Sequence, residues 1–155
     1  MADDFLGDAM ERYAFAGWPK ESRRGAETKR ALMVDKTAFP GFTSVRRASI
    51  GAPRSYEDFY ASDKNGDARV RIRVVNTESF SEAKDALIRR LADCANPNIP
   101  RWEQDELPVD IGFASENEGL ASIMFVTGGV FVEIASVGSE DVDLRQFVQA
   151  MKRQI

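Results

Sequence analysis

The feature that most constrains this chain is a two-glycine turn, Gly128-Gly129, set between two apolar runs at residues 120–127 and 130–137. Glycines at both central positions fit a two-residue hairpin, because such turns need positive φ. Pairing across the turn puts Ala121, Ile123, Phe125, Val130, Val132 and Ile134 on one face. Ser122, Met124, Val126, Phe131, Glu133, Ala135 and Val137 fall on the other. That second face is too apolar to stand bare in water. The amino-terminal helix, the loop around Trp102 or another molecule is expected to cover it.

A second hairpin is expected where Asn65-Gly66 separates residues 56–62 from the alternating run Ala68-Arg69-Val70-Arg71-Ile72-Arg73-Val74-Val75. A two-residue turn there would pair Ser62 with Arg69, Tyr60 with Arg71 and Asp58 with Arg73, leaving Phe59, Val70, Ile72 and Val74 on the opposite face. Residues 42–50 are a further strand, and Ala31-Leu32-Met33-Val34 is a short apolar run that reads as an edge strand. Three helices complete the list. Asp3 or Asp4 caps the first, with Leu6, Ala9, Met10 and Tyr13 at helical spacing and a stop at Gly17-Trp18-Pro19. Ser79 and Glu82 form a capping box ahead of the stripe Phe80, Ala83, Leu87, Ile88 and Leu91. Leu144, Phe147, Val148, Met151 and Ile155 stripe a closing helix capped by Asp141 or Ser139. Residues 95–110, with three prolines around Trp102, form a long loop.

The order helix, strands, helix, strands, helix predicts an α+β domain: an antiparallel sheet of five or six strands with helices mainly on one face. At 155 residues one domain is expected over 1–155, burying about 70% of its unfolded surface. It divides into a helix at 1–19, a connection with a possible edge strand at 20–41, and the sheet with its helices at 42–155.

Composition excludes more chemistry than it suggests. There is no histidine, so imidazole-based triads, histidine zinc sites and histidine pH switches are out of reach. The single Cys94 makes neither an intrachain disulfide nor a Cys-x-x-Cys pair, and reads as a small apolar residue at a helix end. No apolar run approaches the roughly 18 residues of a membrane span. The start has neither a basic end nor an apolar stretch. Two locations follow: a mature exported chain beginning Ala2-Asp3-Asp4 behind an added Met1, periplasmic or secreted, or a cytoplasmic protein.

Charge is unevenly spread. Residues 20–54 hold nine Lys or Arg against three acids, while residues 103–143 hold ten acids and no cation. Folding of one half against the other would compensate these charges. The alternatives are an anion or cation site, or a homodimer made by basic-to-acidic contact.

No motif reaches the specificity of an active site. Asp63-Lys64-Asn65-Gly66-Asp67 opens like a calcium loop, but Ala68 and Val74 stand where glycine and glutamate are required, so it reads as a turn. Ser81-Glu82-Ala83-Lys84 matches Ser-x-x-Lys without the partner motifs of that chemistry. No catalytic residue, cofactor or metal is assigned. The candidate binding residues are Trp102, Arg69, Arg71 and Arg73 with Tyr60 opposite, and the apolar Met124, Val126 and Phe131. Three guanidinium groups on one strand face make a shallow anion site, or else pair across strands, Arg73 with Asp58 and Arg71 with the Tyr60 ring. Nucleic acid is not expected of an acidic chain whose aromatics do not interleave with a basic stripe.

Residues 80–91, Asp110-Ile111-Gly112-Phe113, the hairpin at 123–134 and the helix at 144–155 together resemble PsbP-like lipoprotein domains, small bacterial exported α+β modules. The resemblance spans residues 80–155 in order and texture, and the lipobox cysteine near the start is missing. It implies a non-catalytic, envelope-associated binding module and carries no site residues across. The expected function is therefore non-enzymatic binding of a partner protein or small anionic ligand through the outer sheet face and the Trp102 loop. The alternative is a histidine-independent enzyme using Asp110 and Glu133, with Arg71 or Arg73 holding an anion.

Overall fold

A computed structural model describes residues 2–25, 30–51, 54–94, 96–103, 109–115, 122–152 and 154–155. Among them are three helices, α1 (Ala2–Arg12), α2 (Phe80–Asp93) and α3 (Arg145–Met151), and six strands: β1 (Phe42–Ser49), β2 (Tyr56–Ser62), β3 (Arg69–Asn76), β4 (Ile111–Ser115), β5 (Ser122–Thr127) and β6 (Val130–Ser136). All pairings are antiparallel, in the order β1-β2-β3-β6-β5-β4. Two three-stranded meanders thus meet at β3 and β6. The fold is α+β, and none of the helices is long and apolar enough to cross a membrane.

The Gly-Gly hairpin forms in the expected register, with Ile123 opposite Ile134, Phe125 opposite Val132 and Thr127 opposite Val130. Ala121, from the same reading, lies outside the described residues. The α2 stripe is also as expected. Phe80, Ala83, Leu87, Ile88 and Leu91 are all buried, and the Ser79 hydroxyl accepts the Glu82 N–H at 3.1 Å.

The second hairpin differs by one residue. Asp58 faces Ile72, Phe59 faces Arg71 and Tyr60 faces Val70, because Ser62 bonds to Ala68 and the five residues between them, Asp63 to Asp67, form the turn instead of two. A slip of one exchanges the faces of the whole strand. Tyr56, Asp58 and Tyr60 therefore share the buried face of Val70, Ile72 and Val74, while Glu57 and Phe59 join the arginines. The expected Asp58–Arg73 and Tyr60–Arg71 contacts are replaced by Arg47–Asp58 and Arg73–Glu57 ion pairs.

Three smaller expectations change, and β4 adds an edge contact. Residues 31–34 are extended but join no strand. α1 opens at Ala2, ahead of Asp3 and Asp4. At α3, the Asp143 carboxylate accepts the Arg145 N–H, in place of Asp141 or Ser139. β4 follows directly on the long loop and pairs on its outer edge with Arg101, so that edge is not open.

Two cores lie on opposite faces of the sheet. On one, α2 covers Met124, Val126 and Phe131, and α1 packs against α2, with Tyr13 and Trp18 against Phe113 at 5.3 and 5.6 Å. On the other, α3 and the stretch carrying Leu32, Val34 and Phe39 cover Val70, Ile72, Val74, Phe125, Val132 and Ile134. α1 and α2 thus share one side of the sheet, and α3 lies across it from α2.

Candidate functional site

The helices on the α2 side leave part of the sheet uncovered, for a geometric reason. Six strands at about 4.8 Å spacing make a face roughly 24 Å wide, and two helices of about 10 Å diameter cover about four strands of it. α2 lies over β5, β6 and the adjoining part of β3, and α1 follows it toward β4. None of the described helices packs over the face of β1, β2 and most of β3 on this side.

The register of β1–β3 decides what stands there. Arg46, Phe59 and Arg71 form one cross-strand row, Ala48, Glu57 and Arg73 the next, and Thr43, Ala61 and Arg69 a third. A bulge between Ser44 and Arg46 turns Val45 outward, where it is 68% exposed. The Arg46 guanidinium sits 4.8 Å from the Phe59 ring centroid. Arg69 donates Nε to the Gly66 carbonyl at 2.8 Å. Neither arginine has a carboxylate partner among the described residues. Val45, Arg46, Phe59, Tyr60, Arg69 and Val137 line an open cavity of about 450 Å³, within the range of small-ligand sites. Val45 and Val137 are two of the four large apolar residues exposed among those described.

The three arginines predicted on one strand do share that face, but in different states. Arg73 donates Nε to Glu57 at 2.8 Å, and Arg71 lies 3.5 Å from the Glu133 carboxylate. Of these three, Arg69 is the one without a carboxylate partner among the described residues. Tyr60, expected among the arginines, is buried on the other face with its hydroxyl donating to Asp58 at 3.0 Å. Burial, with Asp58 alongside, pushes the Tyr60 phenol well above its usual range. Met124, Val126 and Phe131 are buried under α2 and present no docking surface. Their cover is α2, with Ala9, Tyr13 and Trp18 of the amino-terminal segment packed in the same cluster.

Trp102 is half-buried, with its ring 6.0 Å from Phe125 and its backbone N–H donating to the Gly112 carbonyl at 2.8 Å. A Cβ on Gly112 would lie 2.8 Å from that ring, so glycine is what lets the loop close on β4. The neighbouring cavity is about 80 Å³ and mixes Arg23 and Arg101 with Glu103 and Asp110. A larger groove of about 480 Å³ beside Phe5 and Leu6 likewise carries one charge of each sign, Arg89 and Asp93. The cavity on the open face is lined by two cations and no acid, as is one of about 300 Å³ flanked by Arg12 and Arg101, and it differs from that one in its exposed Val45 and Val137.

The carboxylates of the enzymatic alternative have structural partners. Asp110 accepts from Ser22 Oγ at 2.7 Å, Arg23 N–H at 2.6 Å and Gly128 N–H at 2.8 Å, clamping the 20s segment to the hairpin turn. Glu133 is 1% exposed and held bidentately by Arg90 at 2.9 and 3.0 Å. Glu133 does meet Arg71, whereas Asp110 lines the separate cavity beside Trp102. Among the described residues, no three acid or thiol side chains gather as a metal site. Cys94 lies 3.5 Å from Arg90, and burial pushes its thiol pKa up, away from thiolate chemistry. Lys84 donates to the Pro19 carbonyl, so the Ser-x-x-Lys lysine ties α2 to the amino-terminal segment, while Ser81 is exposed.

No ion pair joins the basic 20–54 region to the acidic 103–143 region among the described residues; the contact found is of Ser22 and the Arg23 backbone with Asp110. Arg46 and Val45 went unnoticed in the sequence because a bulge, invisible to period-two patterning, decides which way each points. Compared with protein-family models, curated proteins and solved structures, the chain finds no match.

Proposed function

We propose that this α+β protein is a non-enzymatic binding module that takes an anionic partner on the open face of β1–β3. Arg46 and Arg69 bind its carboxylate or phosphate groups, and Val45, Phe59 and Val137 hold an adjoining apolar part. The carrying observation is the pairing of two guanidinium groups free of carboxylates with an exposed apolar floor. Arginine suits such a site because its planar fork meets carboxylate and phosphate oxygens bidentately, and a guanidinium stacked on an aromatic ring is already oriented. The same role agrees with the non-catalytic binding module that the PsbP-like resemblance implies.

The test is a two-dimensional NMR titration with hexaglutamate and with inorganic phosphate, using hexalysine as the control. Shifts for an anion should concentrate on Val45, Arg46, Phe59, Arg69 and Val137, and vanish in Arg46→Glu, Arg69→Glu. Shifts centred instead on Arg23, Arg101 and Trp102 would move the site to the loop, and none with either anion would refute it.

A further inference from the structure

On the opposite side of the sheet, the extended segment 31–35 lies against β2 and β3 without joining a ladder. Its backbone contacts come from side chains. Asn76 accepts the Leu32 N–H at 2.8 Å and donates Nδ2 to the Leu32 carbonyl at 3.1 Å. The Tyr56 hydroxyl donates to the same carbonyl at 3.2 Å and accepts the Val34 N–H at 2.7 Å. Arg47 Nη2 donates to the Val34 carbonyl at 2.7 Å, and Gln154 accepts the Asp35 N–H. Leu32 and Val34 are buried in the core, while Met33 between them is 54% exposed.

This is how a receptor holds an extended peptide: fixed polar groups read the backbone, and pockets take alternate side chains. Two of the receiving groups, Arg47 and Asn76, are also held by partners outside the segment. Asp58, fully buried, grips Arg47 at 2.6 and 2.8 Å and accepts from Tyr60. Asn76 is anchored a second time, to the Arg54 carbonyl at 2.6 Å. Those two side chains are thus pre-organised by contacts that do not depend on the segment.

We infer that this groove is a binding site for an extended peptide with apolar residues at alternate positions, supplied by a partner protein, and that residues 31–35 are its exchangeable intramolecular occupant. A segment tethered in the same chain competes at an effective concentration near millimolar, so a partner enters once the tethered copy is released.

The first experiment uses a fluorescein-labelled peptide of residues 30–36 and the full chain carrying Leu32→Asp and Val34→Asp. Saturable binding to this folded variant is expected, at least about tenfold weaker after adding Asn76→Ala, which removes two hydrogen bonds. A folded variant that ignores the peptide overturns the inference. The second uses the unmodified chain and decides the matter if the variant fails to fold. In hydrogen exchange, the Leu32 and Val34 amides should exchange at least about tenfold faster than those of Ile72 and Ile134. Equal rates would mean that the segment leaves only when the whole fold opens, and would overturn exchangeability. A dimer of the unmodified chain that excess peptide dissolves would seat a second copy there and refute a foreign partner.

Discussion

The two halves of the sheet have the same strand number and meander order, yet they are built from different sequences. In β4–β6 nearly every residue is buried, on both faces, whereas β2 and β3 alternate buried with half-exposed and β1 is largely exposed. The sequences show the cause: Ser-Ile-Met-Phe-Val-Thr and Val-Phe-Val-Glu-Ile-Ala-Ser run nearly continuously apolar, while Arg-Val-Arg-Ile-Arg-Val-Val-Asn alternates. A strand between two layers has no side to give to water; a strand with one layer has. The half covered twice holds the fold, and the half covered once is free to carry a site.

That contrast can be broken by mutation. The largest effect is expected at Phe125, fully buried in β5, where Phe125→Ala should cost about 3–5 kcal/mol. Phe59→Ala, on the open face, should cost about 1 kcal/mol, including its contact with Arg46. Urea unfolding of both variants compares them directly, and equal losses would erase the distinction.

Next come the two ion-paired glutamates. Glu133→Ala leaves Arg71 of β3 and Arg90 of α2 without their shared carboxylate, and should cost about 2–3 kcal/mol, below the full price of a buried pair because both guanidiniums keep some contact with water. Glu57→Ala in the open half releases Arg73 to solvent and should cost under about 1 kcal/mol by the same unfolding measurement.

A smaller and pH-dependent effect belongs to Tyr60. Its phenol pKa is raised by burial and then by Asp58. The folded chain therefore keeps a proton that the unfolded chain gives up near pH 10. That share of stability is whole below about pH 10 and is lost as the pH rises above it. Tyr60→Phe should lower stability by about 1 kcal/mol at neutral pH through the lost hydrogen bond. It should also flatten the decline above about pH 10, seen as a smaller drop in melting temperature between about pH 9 and 11. An unchanged decline would contradict the assigned environment. Least of all, Arg46→Ala should change stability by under about 0.5 kcal/mol while weakening anion binding.

The same contrast explains what could be read from the chain. In the β5–β6 hairpin the turn and both apolar faces agree on one register, so pattern alone suffices. The α2 helix is equally legible, because Ser79 fixes its start and the buried stripe fixes its face. In β2–β3, Asn65-Gly66 sits inside a five-residue connection, where Asn65 Oδ1 accepts the Asp67 N–H and a Cβ on Gly138 would lie 2.0 Å from the Asp67 carbonyl. A tertiary contact packs that loop, and no local signal in residues 63–67 announces it. The segment 31–35 looks like a strand because Leu32 and Val34 alternate with Met33. What it lacks is a neighbouring backbone, and that is a property of the assembled fold. Of the site, the arginines of β3 were visible as an alternating strand, whereas Val45 and Arg46 depended on the bulge.

The most direct test of the central claim is the hexaglutamate titration followed residue by residue in both halves of the sheet. The account predicts saturable shifts on β1–β3 at Val45, Arg46, Phe59 and Arg69 and none on β4 or β5, with loss of binding in Arg46→Glu, Arg69→Glu at unchanged melting temperature. Saturable shifts confined to the β4–β6 half, or binding that survives the double charge reversal, would contradict it.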